Sequence, residues 1–133
     1  MTDYKKALED LVVIVTQEGA SDLHLTAGRH PSIRVSGDLI PVVKKPILTP
    51  EDTLGMVSAA LSDENRELFL KQKDIDFSYS LAGGVRFRGN AFYQKGFVGA
   101  AFRLIPLKIK NFAELNLPDR LADFTRLEQG FFL

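Results

Sequence analysis

Hydrophobic positions along the chain switch between two periods, and the switches mark its elements. Between Asp3 and Glu18, Tyr4, Leu8, Leu11, Val12 and Val15 recur at steps of three and four. That spacing predicts an amphipathic helix, with Gly19 as its stop. Polar and apolar residues then alternate through Ser21–Thr26 and again through Ile33–Ser36, on either side of Gly28-Arg29-His30-Pro31, which predicts strand, turn, strand. Gly37-Asp38 reads as a tight turn into a third short strand at Leu39 and Ile40, and Pro41 and Pro46 bracket an irregular connection. Thr49-Pro50-Glu51-Asp52 has the features of a helix start: a capping hydroxyl, proline at the first helical position, and two carboxylates at the positive end of the dipole. Leu54, Val57 and Leu61 form the expected buried stripe of that helix. A second helix restarts at Ser62-Asp63-Glu64 and carries Leu68 and Phe69.

Three alternating segments follow from Asp74 to Ile105, and their period of two is regular enough to select a pairing. In Asp74–Leu81 every odd position is apolar and every even one polar. Pairing Leu81 with Val85 across Ala82-Gly83-Gly84 gathers Ile75, Phe77, Tyr79, Leu81, Val85, Phe87, Gly89 and Ala91 on one face. A two-residue loop at Lys95-Gly96 then pairs Gln94 with Phe97 and Arg88 with Arg103, and keeps Val98, Ala100, Phe102 and Leu104 on the same apolar face. The other face therefore collects Arg86, Arg88 and Arg103 with Asp74 and Asp76. Like charges opposite one another across strands are unfavourable, by roughly 0.2–1 kcal/mol per pair. An anion should be near: either Asp74 and Asp76 as surface ion-pair partners, or an external phosphate, to which a guanidinium is well matched. In the second case Asp76 would orient Arg88. Leu117-Pro118-Asp119 opens a last short helix with Leu121 and Phe124.

The length of 133 residues suits one domain with a core of its own. The absence of cysteine removes disulfide frameworks, thiolate metal sites and thiol nucleophiles, and without a signal-like start it fits an intracellular setting. No apolar run approaches the ~18–20 residues of a membrane span. The 17 basic residues balance 17 acidic ones, which speaks against a nucleic-acid coat. No G-x-x-x-x-G-K-[ST], G-x-G-x-x-G, G-x-S-x-G or H-E-x-x-H motif is present. His24 and His30 are too few for a metal site, and His24, between Leu23 and Leu25, is expected to be a satisfied half-buried strand residue. Asp74 and Asp76 share a face as an acid–base pair would, but no second motif supports that role. Phe87, Phe92, Phe97 and Phe102 could stack bases, though their positions favour core packing.

Several segments together carry a resemblance. Ala20-Ser21-Asp22-Leu23-His24-Leu25, Pro31–Leu39, Asp74–Tyr79, Arg86–Phe92, Phe102–Pro106 and Leu115–Pro118, in this order, resemble the amino-terminal domain of the PilT-type pilus-retraction ATPases of the type II/type IV secretion superfamily. The resemblance implies an α+β, PAS-like domain over residues 1–106, with an antiparallel sheet of about six strands flanked by helices. It implies that residues 107–133 are a linker, a short helix and a first strand, Gly130–Leu133, leading toward a RecA-like ATPase domain. In the family such domains pack on the ATPase domains of their own and neighbouring subunits in a homohexamer. That ring is cytoplasmic, peripheral to the inner membrane through platform proteins of the pilus machinery.

ATP and Mg belong, on this resemblance, to the full-length protein and no cofactor to this chain, which lacks the Walker motifs and should not hydrolyse ATP alone. Arg88 and Arg103, with Arg86 a weaker match, correspond to arginines that approach the ATP phosphates, supported by Asp76 and Asp74. Gly89 departs from the larger apolar residue usual in the family and is expected to loosen its strand. The alternative is a free-standing PAS-like module for ligand binding or partner docking.

Overall fold

A computed structural model describes residues 2–133. Helix α1 (Tyr4–Gln17) is capped by the Asp3 carboxylate, which accepts from the Lys6 amide, and it buries Leu8, Leu11, Val12 and Val15 as its periodicity predicts. Gly19 adopts φ +61°, a conformation that suits residues without a Cβ, and returns the chain directly into β1 (Asp22–Thr26). Strands β2 (Ser32–Val35) and β3 (Asp38–Pro41) form a hairpin whose turn residues are Ser36 and Gly37, both left-handed; Asp38 already belongs to the strand, which starts one position earlier than the sequence suggests.

Helix α2 (Pro50–Ala60) has the reciprocal cap its sequence predicts. The Asp52 amide donates to the Thr49 hydroxyl, while the Asp52 carboxylate accepts from the Thr49 amide. Its buried stripe is Thr53, Met56 and Val57, with Leu61 buried just beyond the last turn; Leu54 faces outward. The Thr53 hydroxyl is satisfied by donating to the Pro50 carbonyl, so a polar residue can occupy an inward position that apolar counting assigned to Leu54. Helix α3 (Asp63–Gln72) buries Phe69 and leaves Leu68 exposed.

The long meander β4 (Asp74–Ser80), β5 (Arg86–Gln94) and β6 (Phe97–Ile105) completes one open antiparallel sheet in the order β3-β2-β1-β6-β5-β4. The register is the one selected by alternation: Ser80 opposite Arg86, Arg88 opposite Arg103, and Gln94 opposite Phe97 across a Lys95-Gly96 turn. Helices α1 and α2 cover one face, where Leu23, Leu25, Phe77, Phe87, Ala91, Ala100 and Phe102 join the helix stripes in a single core. Gly89 does not loosen β5. Its missing Cβ is replaced by the Phe77 ring, and the pairing of β4 with β5 runs through it unbroken. The last segment forms the 3-10 helix η1 (Asp119–Arg126), and Gly130–Leu133, expected as a strand, has no strand partner among the described residues. Phe131, Phe132 and Leu133 are exposed.

Candidate functional site

The face of the sheet away from the helices is built from rows that cross the strands. One row runs Leu39, Arg34, Asp22, Arg103, Arg88, Ser78 and a second Pro41, Ser32, His24, Ala101, Asn90, Asp76. The first row thus sets Asp22 between Arg34 and Arg103, with Arg88 beyond Arg103, and a small residue, Ala101, sits between larger side chains in the second. The result is a shallow cavity of about 260 Å³ with Ala101 in its lining, bounded by Asp22, His24, Arg34, Arg88, Asn90 and Arg103. Beyond it the Phe92 ring lies over Gly99.

Asp22 organises the arginine row. Its side chain is 8% exposed; one carboxylate oxygen accepts from Arg103 Nε at 2.9 Å, and the other accepts from the Ser21 hydroxyl at 2.7 Å and lies 3.5 Å from Arg34 Nε. Burial works against the carboxylate, but the bonds from Ser21 and Arg103 and the Arg103 charge outweigh it and hold the Asp22 pKa below its ordinary value. Among the described residues Arg103 is held only through Nε, and its side chain is 74% exposed, so the rest of its guanidinium is open to solvent. Arg34 is further restrained by donating to the Gly37 carbonyl. Arg88, opposite Arg103, makes no ion pair among the described residues. Arg86 lies one step further along β5, opposite Ile105.

The sequence therefore places Arg86, Arg88 and Arg103 on one face, as the register requires, but not with the expected acid partners. Asp74 and Asp76 both accept from the Asn90 amide nitrogen, at 2.8 and 3.3 Å, and neither pairs with an arginine. Asp76 lines the cavity without touching Arg88, so the carboxylate that neutralises part of the row is Asp22. Its sequence signal was its place in the Asp22-x-His24-x-Thr26 polar alternation; what alternation alone lacked was the pairing of β1 with β6.

His24 also departs from expectation. Its Nε2 is buried with no hydrogen-bond partner among the described residues. An orphaned polar atom of this kind costs about 1–3 kcal/mol. Burial chiefly, with the Arg34 and Arg103 charges added and Asp22 opposing, holds the ring below its ordinary pKa, so the imidazole is neutral at pH 7. His30, by contrast, has Nδ1 2.7 Å from the Lys45 carbonyl. Of the four phenylalanines weighed as base-stacking residues, Phe87 and Phe102 are fully buried and Phe97 is half exposed. No group of three or more His, Asp or Glu among the described residues is placed to hold a metal, and no helix among them is long and apolar enough to cross a membrane.

No protein-family model matches the chain. It is similar to the type IV pilus ATPase PilU of Pseudomonas aeruginosa, 36% identical over 125 residues that cover 94% of this chain and 32% of that protein. It is likewise 36% identical to the type IV pilus retraction ATPase PilT of the same organism, over 95% of this chain and 36% of that one. A crystal structure of the pilus-retraction motor PilT with bound ADP superposes with a TM-score of 0.74 at 40% identity, covering 87% of this chain and 34% of that chain. The chain thus spans about a third of the length of the curated relatives it matches. With its six-stranded antiparallel sheet and these likenesses, the chain belongs to the PilT-type secretion ATPases, over their amino-terminal domain.

Proposed function

We propose that the chain serves as the regulatory and subunit-packing domain of a hexameric type IV pilus retraction ATPase, and that Arg88 and Arg103 contact the phosphates of ATP bound with Mg by a RecA-like ATPase domain. Residues 1–106 are the packed domain in this reading, and residues 107–133 lead toward that ATPase domain. The ring works at the cytoplasmic side of the inner membrane with the pilus platform proteins as partners. The observation that carries the reading is the arginine row on a sheet face that no helix covers: Arg88 has no ion-pair partner among the described residues, and Arg103 is fixed through Nε with the rest of its guanidinium exposed. Guanidinium groups presented in pairs suit phosphate oxygens, and such fixed charge acts on the charge that develops during phosphoryl transfer. Arg86, one step along β5, is the weaker contributor, and Asp22 rather than Asp74 or Asp76 supplies the support.

The test is Arg88→Ala and Arg103→Ala in the protein that joins this chain to its ATPase domain. ATP turnover should fall about 100-fold, the loss typical of one transition-state charge contact, while light scattering shows the ring still assembled. Turnover near wild type in both variants would remove the arginine contacts from this reading.

A further inference from the structure

We infer that the free edge of β4 is a docking site for a second copy of this chain, which adds its Lys108-Ile109-Lys110 segment there as a seventh strand. The inference rests on the subunit-packing part of the reading above and not on the arginine contacts. At one end of β4 the Leu81 amide donates to the Val85 carbonyl, and at the other the Tyr93 amide donates to the Lys73 carbonyl. Residues of an antiparallel pair alternate between those that bond to the partner strand and those that do not. Ile75, Phe77 and Tyr79 therefore turn their backbone groups to β5, and Asp74, Asp76, Ser78 and Ser80 turn theirs outward, where β4 is the last strand of the sheet. Natural sheets blunt such edges with short strands or proline. The opposite edge has both, since β3 is four residues long and ends in Pro41, whereas β4 runs for seven residues without a proline. Asp74 and Asp76 are exposed, and neither pairs with a cation among the described residues. A cavity of about 420 Å³ adjoins this stretch, lined by Gln72, Asp74, Ile75 and Asp76.

The occupant follows from charge spacing and from reach. A strand added here sets the residues opposite Asp74 and Asp76 on the open face, two positions apart, and the residue between them beside Ile75 on the helix-covered face. The matching sequence is basic, apolar, basic. Lys108-Ile109-Lys110 has it; Arg86-Phe87-Arg88 has it too but is already paired on both sides within the sheet. Lys108–Lys110 lies in no helix or strand and takes part in no backbone hydrogen bond among the described residues. Ile109 is 93% exposed, Lys110 has no ion pair there, and Lys108 meets Glu114 at the surface, a pair it can exchange for Asp76. The segment does not reach the edge of its own copy. Ile105 is level with Ser80 and two strands in, so Asp76 lies about 17 Å from it at the usual strand spacing and rise. The three residues from Ile105 to Lys108 span at most ~11 Å. A second copy supplies the strand, and because each copy offers one edge and one segment, the contact runs head to tail, as a ring requires.

The test uses the protein that joins this chain to its ATPase domain. Ordinary and 15N-labelled copies are purified separately, mixed, assembled and treated with a carbodiimide, which couples a carboxylate to an amine in contact with it. Mass spectrometry should find Lys108 or Lys110 joined to Asp74 or Asp76 in mixed light–heavy pairs, which only two different copies can give. The Lys108–Glu114 pair within one copy, coupled without mixing, is the internal control. Asp74→Lys with Asp76→Lys should weaken subunit association about tenfold or more by light scattering, because two attractive pairs become repulsive, and Lys108→Asp with Lys110→Asp should do the same. All four changes in one chain should restore association to within about threefold of wild type. An assembled protein whose lysine–aspartate links are all unmixed, or whose Lys108 and Lys110 couple to other acids of the neighbour, overturns the edge contact and leaves the subunit-packing reading standing. A charge exchange that fails to restore association does so too. A wild-type protein that stays a monomer at every concentration overturns both.

Discussion

The two faces of one sheet are made by the same strands, yet they are held by different physics. On the helix-covered face, Phe102 is fully buried and meets Phe77, Tyr79 and Phe87 edge-on at centroid distances of 5.6–6.4 Å, each ring on a different position of the three-strand meander. On the open face, one residue further along the same strand, Arg103 is largely exposed and reaches the buried Asp22 across to β1. The first face contributes stability through area and packing, largely indifferent to pH and salt. The second contributes little stability, because charges near water are screened, and it leaves Arg88 and the outer part of Arg103 without an ion-pair partner among the described residues. A domain of this kind keeps its core and its charged face on opposite sides, so that either can be altered alone.

That separation is broken most severely by Phe102→Ala. Truncating a fully buried aromatic at the centre of the cluster should cost about 3–5 kcal/mol, seen as a large fall in the denaturation midpoint. Gly89→Ala is next. A Cβ there would fall 2.4 Å from the Phe77 ring, so Phe77 must leave its contact with Phe102; overpacking of about 1–3 kcal/mol is expected, with the entropic gain of losing a glycine too small to cancel it. A Gly89→Ala variant as stable as wild type would mean that the aromatic cluster repacks freely.

The same contrast explains what could be read from the chain before its structure. Alternation from Asp74 to Ile105 was strict enough that a one-residue slip would have put Arg103 in the core, so the meander and its arginine face were legible locally. The partner of Arg103 was not, because Asp22 lies 81 residues earlier and the contact depends on β1 docking against β6, a non-local pairing that no local pattern encodes. Asp74 and Asp76 were near enough to suggest themselves, yet directly across from Asp76 stands Asn90, whose amide donates to both carboxylates. The stripe of α2 was misassigned for a related reason: Thr53 is inward because its hydroxyl is satisfied within its own helix, which a count of apolar residues cannot register.

Asp22→Asn sharpens the comparison from the polar side. Arg103 and Arg34 lose a charged acceptor but both reach water, so the expected cost at pH 7 is only about 1 kcal/mol. The pH dependence gives the sign. The Asp22 pKa is lower folded than unfolded, so the unfolded chain binds the extra proton first; the carboxylate's contribution is complete above the ordinary value of 3.8 and is lost as pH falls through the folded value. The stability gap between wild type and Asp22→Asn should therefore narrow only in strong acid. A gap that widens there would show that Asp22 is not the charged acceptor of this row.

The smallest effect on stability is expected at Arg88, and its smallness is what makes it informative. The residue is exposed and has no ion-pair partner among the described residues, while its like-charged neighbour Arg103 stands directly opposite. Removing it relieves that repulsion and exposes nothing, so Arg88→Ala should change the unfolding free energy by no more than about 0.5 kcal/mol, and toward stabilisation rather than loss. Adding salt should shrink the gain, since screening already weakens the arginine–arginine repulsion in the wild type. A gain or no change in stability on removing Arg88, beside an arginine that Asp22 holds in place, would support the proposed phosphate contact, because the residue then does nothing for the fold. Clear destabilisation by Arg88→Ala at low salt would instead show that the open face contributes to the fold, and the division between the two faces would fail.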